Sequence, residues 1–80
     1  MKRIIDEIMI VEVFKTNVTD REVADKIIND LSVTLPQSRI NFDLTDCDNI
    51  LRIESTAHIH IESISKQLGY WGYECEVLEP

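Results

Sequence analysis

Eighty residues allow one domain with one core, and a domain of this size buries only about 60% of the surface its unfolded chain exposes, so nearly every large apolar residue has to help. Apolar residues make up 44% of the chain, with two Gly and two Pro, which excludes a disordered or linker-dominated chain. Fifteen acidic residues against eight basic ones give a net charge of -7, with the cations scattered singly among acids, which argues against nucleic acid and against an anionic membrane surface.

The first element is IMIVEVF, residues 8–14, a strand by its β-branched and aromatic content and its lack of a helical period. Glu12 marks one face as accessible, with Ile8 and Ile10 beside it, and places Met9, Val11 and Val13 on the inward face. Lys15 to Val18 form a loop. Thr19-Asp20-Arg21-Glu22 reads as a capping box with Thr19 as N-cap. Val23, Ala24, Ile27, Ile28 and Leu31 then make one apolar stripe of a helix that ends before Pro36. Residues 39–45, RINFDLT, alternate strictly, with Ile40, Phe42 and Leu44 inward. Asp46-Cys47-Asp48-Asn49 is turn chemistry, and residues 50–55 return as a strand with Leu51 and Ile53 inward, completing a hairpin. Ile61, Ile64 and Leu68 place a second helix at about residues 59–68, with Ser55, Thr56 and His58 as alternative caps and Gly69 as its C′ residue. After the aromatic turn Tyr70-Trp71-Gly72, residues 73–79 alternate again, with Tyr73, Cys75 and Val77 inward.

The order β–α–β–β–α–β with two amphipathic helices predicts an α+β ferredoxin-like sandwich: a four-stranded antiparallel sheet with both helices on one face, a single domain over residues 1–80 with its core in 8–79. Three connections then share one end, Lys15–Thr19, Asp46–Asn49 and Gly69–Gly72, while His58 and His60 belong to the other. Met1-Lys2-Arg3 has the look of a secretion signal, but Asp6 and Glu7 leave no apolar stretch behind it, and no run reaches the ~20 apolar residues of a membrane span. Two cysteines without a signal predict free thiols in the cytoplasm.

The element order, the spacing from the first strand to the stripe that starts at Val23, and Gly69-Tyr70 before the last strand resemble the heavy-metal-associated domain, the fold of copper chaperones and of the amino-terminal modules of copper-pumping ATPases. The resemblance runs from Ile8 to Leu78. It implies a Cys-x-x-Cys ending the first loop, preceded by a buried methionine; in this chain those positions fall on Thr16, Thr19 and Phe14. Hydroxyls are hard, un-ionised ligands and cannot replace a dithiolate for copper(I) or zinc. The resemblance therefore implies the fold and a docking surface at the loop end, built from Lys15, Asn17, Val18, Tyr70 and Trp71, without the carrier activity.

The remaining residues give the following expectations. Cys47 is either a turn residue or a metal ligand acting with Asp46 and Asp48, and Asp43, Asp46 and Asp48 are either a solvated acidic turn or oxygen ligands for a hard cation, although EF-hand spacing is absent. Cys75 is a core thiol. His58 and His60 are surface or capping residues, since positions two apart do not share a helix face. Tyr70 and Trp71 either anchor a partner or close the core. Ile8, Ile10, Ile50 and Leu78 on the helix-free sheet face suggest self-association. No nucleophile–base pair or phosphate loop appears. The expectation is a non-catalytic module with a protein partner or a second copy of itself and no cofactor, or alternatively a metal-ion binder through Cys47.

Overall fold

The computed structural model describes residues 10–78, so Ile8, Met9 and the ends of the first and last strands as read from the sequence lie outside it. Its elements are β1 (Ile10–Thr16), α1 (Arg21–Thr34), β2 (Ser38–Asp43), β3 (Ile50–Ser55), α2 (Ile61–Tyr70) and β4 (Cys75–Val77). The sheet is antiparallel throughout in the order β2-β3-β1-β4, which is the ferredoxin-like arrangement. No helix among the described residues is long and apolar enough to cross a membrane.

Register fixes which face meets the helices. Phe14 stands opposite Leu51 and Val77, Ile53 opposite Ile40, and Phe42 opposite Leu51. These side chains pack with Ala24, Ile27 and Leu31 of α1 and Ile64 and Leu68 of α2 in one core. Complete burial of a side chain such as Phe14 or Leu51 stabilises the fold by roughly 1.5–3 kcal/mol.

The inward face of β1 is the reverse of the sequence expectation. Ile10, Glu12, Phe14 and Thr16 point to the helices, and Val11 and Val13 point away. Phe14 is the deciding side chain, because only one parity of the strand can bury it. Glu12 tolerates that face because it lies near the strand's start, where it lines a surface hollow with His60 and Glu62.

Local chemistry sets the helix ends. The cap of α1 is Asp20, not Thr19: its carboxylate accepts from the Glu22 N–H at 2.8 Å, worth ~1 kcal/mol. The first turn also sends Arg21 to the sheet edge, where Nη2 donates to the Phe42 carbonyl of β2 at 3.0 Å. An edge carbonyl occupied this way no longer invites a foreign strand. Helix α2 starts two residues later than its apolar spacing suggests, after an extended His60 with no side-chain cap. Neither Ser55, Thr56 nor His58 caps it. It continues through Gly69, and Gly72 at φ +86° is the C′ residue, with Tyr73 N–H donating to Leu68 O (3.0 Å) and Gly72 N–H to Gly69 O (2.9 Å). This pair of bonds is a Schellman closure, which needs a left-handed residue where Gly72 stands.

Candidate functional site: the loop end

The end of the sandwich that gathers three connections is held by polar side chains. Thr16, the last residue of β1, is only 6% exposed. Its Oγ1 donates to the Asn49 carbonyl at 2.6 Å and accepts from the Val18 N–H at 3.2 Å. Its backbone N–H donates to Asp48 O at 3.1 Å. The first loop is thereby latched to the β2–β3 turn. On its other side, Asn17 Oδ1 accepts from the Glu74 N–H at 2.8 Å, which ties the loop to the approach to β4. Lys15 Nζ lies 4.0 Å from Asp48 Oδ1, an exposed pair of small energetic weight.

The β2–β3 turn is bonded to itself. Asp43 Oδ1 accepts from both the N–H and the hydroxyl of Thr45, and these bonds, the hydroxyl's first, hold its carboxyl below the ordinary range. Asp46 Oδ1 accepts from the Asp48 N–H at 2.8 Å, and Asn49 takes a positive φ of 48° to lead into β3. Asn is one of the few side chains that adopts this conformation at low cost. Cys47 stands exposed at the tip, and ligand atoms of Asp46, Cys47 and Asp48 all lie within 4.8 Å of one another. One thiol and two carboxylates on a short turn are a mixed soft and hard donor set.

The structure separates the residues that the sequence groups at this end. Lys15 and Asn17 are exposed, as a docking surface requires. Val18 is not: it is wholly buried and belongs to the core, because its aliphatic side chain plugs the sandwich below the loop. Tyr70 is 88% exposed, whereas Trp71 is partly covered and its Nε1 donates to Asp30 Oδ2 of α1 at 3.3 Å. Thr16 ends β1 and is buried, whereas Thr19 lies in the loop before the α1 cap and is exposed. Cys75 is half-buried against the core, and burial pushes its thiol up to about 11. Cys47 and Cys75 are both free.

The helix-free sheet face also differs from expectation. Ile10 packs on the helix side, and Ile8 lies outside the described residues. The apolar members of the open face are Val11, Val13 and Ile50, with Leu78 joined to Val13 O through its N–H at 2.8 Å. Arg39, Arg52, Lys15, Asp43, Glu54 and Glu76 share that face by the same register, and Arg52 pairs with Glu54 at 2.9 Å. It is a mixed surface rather than an apolar patch.

Sequence reasoning missed the internal role of Thr16. The signal was slight: a threonine closing a strand, three residues ahead of another. No family model, curated protein or solved structure matches the chain.

Proposed function

We propose that the protein is a small non-catalytic binding module, resembling a heavy-metal-associated domain that has lost its soft-metal site, and that it docks another protein through its loop end. The observation that carries this reading is the commitment of the Thr16 hydroxyl. At a position where the resemblance implies a metal thiolate, a buried hydroxyl makes two internal hydrogen bonds, so its proton and a lone pair serve the fold. Beside it the loop end offers Lys15, Asn17 and the outstanding ring of Tyr70. An aromatic residue held on a firm frame is the kind of side chain that dominates binding energies. The free thiols of Cys47 and Cys75 suit a reducing, cytoplasmic setting.

Two measurements test it. A photo-crosslinking residue at position 70 yields a discrete protein adduct in cells, while the same residue at Thr56, exposed just past β3 at the opposite end, does not. Equal adducts from both positions refute docking at the loop end. Titration with copper(I) and zinc against a chelator gives no micromolar binding for the wild type, whereas Thr16→Cys/Thr19→Cys gains it.

A second reading rests on the Asp46–Cys47–Asp48 donor set: the protein binds a metal ion at the turn tip, with the remaining ligands from a partner. In that case the wild type binds zinc or copper(I) at micromolar or tighter affinity, and Cys47→Ser abolishes it.

A further inference from the structure

The end of the sandwich away from the loops carries a cavity of about 330 Å³, bounded by the turn after α1, the end of β3 and the start of α2. Leu35, Pro36, Ala57 and Ile64 supply its apolar walls, and His58, His60 and Ser63 stand at its rim. The same three rim residues, with Glu12 and Glu62, line an adjoining hollow. Cavity and hollow thus form one continuous recess, dry on one side and anionic on the other. Neither Glu12 nor Glu62 meets a cation among the described residues. Such a recess fits an occupant with an apolar part and positive charge directly beside it.

The chain itself brings an occupant of that kind to the opening. β1 begins at this end, where Ile10 stands opposite Ser55, and Ser55 lines the cavity. Paired Cα atoms in an antiparallel ladder are about 5 Å apart, so residues 1–9 join the fold beside the recess. Their sequence is MKRIIDEIM. Lys2 and Arg3 are two of the chain's eight basic residues, and Ile4 and Ile5 follow them directly. Five residues back from Ile10 reach at most ~18 Å, and eight reach at most ~29 Å, ample for a recess that opens next to Ser55. A tether this short holds the segment at millimolar effective concentration against its site, so modest contacts suffice. A second copy would instead bring a net charge of -7 towards Glu12 and Glu62, and a free anion is repelled by the same two carboxylates.

We propose that residues 1–9 are the occupant of this recess, with Ile4 and Ile5 against Leu35, Pro36, Ala57 and Ile64, and with Lys2 and Arg3 over Glu12 and Glu62. Asp6 and Glu7 belong to the span that bridges the rim back to Ile10 and face solvent. The chain thereby closes its own far end, independently of the docking role proposed for the loop end.

Methyl and amide NMR of the full chain tests this. Nuclear Overhauser contacts are expected between the Ile4 and Ile5 methyls and those of Ala57 and Ile64, and they persist through a tenfold dilution. Ile4→Asp/Ile5→Asp removes them and shifts the amides of Leu35, Ala57, His60 and Ser63. The Thr16, Asn17 and Asp48 amides at the loop end stay in place, which shows that this variant keeps the fold. Lys2→Glu/Arg3→Glu moves the same far-end amides part of the way towards their positions in Ile4→Asp/Ile5→Asp. Raising sodium chloride to about 1 M, where the screening length falls to ~3 Å, moves the wild-type amides in that direction too. Absence of the contacts in the wild type, contacts that fade on dilution or that cross between labelled and unlabelled chains, far-end amides unmoved by Ile4→Asp/Ile5→Asp, or no response to charge reversal would each overturn the proposal.

Discussion

Replacing Thr16 by valine keeps the shape of the side chain and removes its hydroxyl. Two partners are then left behind. The Val18 N–H sits in a buried bond, so it cannot turn to water. The Asn49 carbonyl is only partly covered, so water recovers some of its loss. An unpaired buried group costs ~1–3 kcal/mol, and the added methyl returns up to ~0.8 kcal/mol of burial. The expected net loss is about 2–3 kcal/mol. A domain of eighty residues has a total stability of roughly 4–12 kcal/mol, so the substitution removes about a sixth of it at the least. Thr16→Ser keeps the hydroxyl and loses a methyl, for an expected ~1 kcal/mol. Urea unfolding followed by the fluorescence of Trp71, the only tryptophan, reads both variants, with the midpoint falling and the slope unchanged. If the valine variant lies within about 0.5 kcal/mol of wild type, or if serine costs as much as valine, Thr16 is not the latch described above.

Other substitutions probe the neighbouring devices. Asn49→Val forces a β-branched residue into positive φ and should cost ~1–2 kcal/mol, while Asn49→Gly should be near neutral, both by the same urea assay. Gly72→Ala strains the Schellman closure at φ +86° and should lower stability by ~1 kcal/mol. Cys47, exposed, should be alkylated by iodoacetamide at neutral pH well before Cys75, whose thiol burial holds up at about 11; mass spectrometry of the time course decides. Because the folded state raises the Cys75 value above 9.0, its contribution to stability is complete below that pH and is lost as pH rises through about 11, a decline that Cys75→Ala should lack in alkaline unfolding curves.

How far the fold could be read from the chain depends on how many side chains carry the signal. The α1 stripe and the alternating hairpin each have several residues in agreement, and Ala24, Ile27, Leu31, Ile40, Phe42, Leu51 and Ile53 are all in the core. In IMIVEVF both parities are apolar, so Glu12 alone distinguishes the faces, and a carboxylate near a strand end reaches water from either side. Two glycines three residues apart offered two stops for α2, and backbone closure rather than composition chose Gly72. The candidate site was less legible. That three loops converge follows from topology, but that Val18 turns inward and Thr16 spans to Asn49 depends on register across a sequence separation of 33. The far-end cavity draws on segments from Thr34 to Ile64, and no local pattern announces it.

The two ends of the sandwich use their polar groups differently. At the loop end the polar side chains are spent inward: Thr16 on the β2–β3 turn, Asn17 on the approach to β4, Asp43 and Asp46 on their own backbone. If a partner docks at the loop end as proposed, loops already fixed lose less conformational freedom on binding, and more of the contact energy of Tyr70 would survive as affinity. At the far end the reverse holds. His60 starts α2 without a side-chain bond, and among the described residues Ser55 Oγ is engaged only by the Ala57 N–H two residues on.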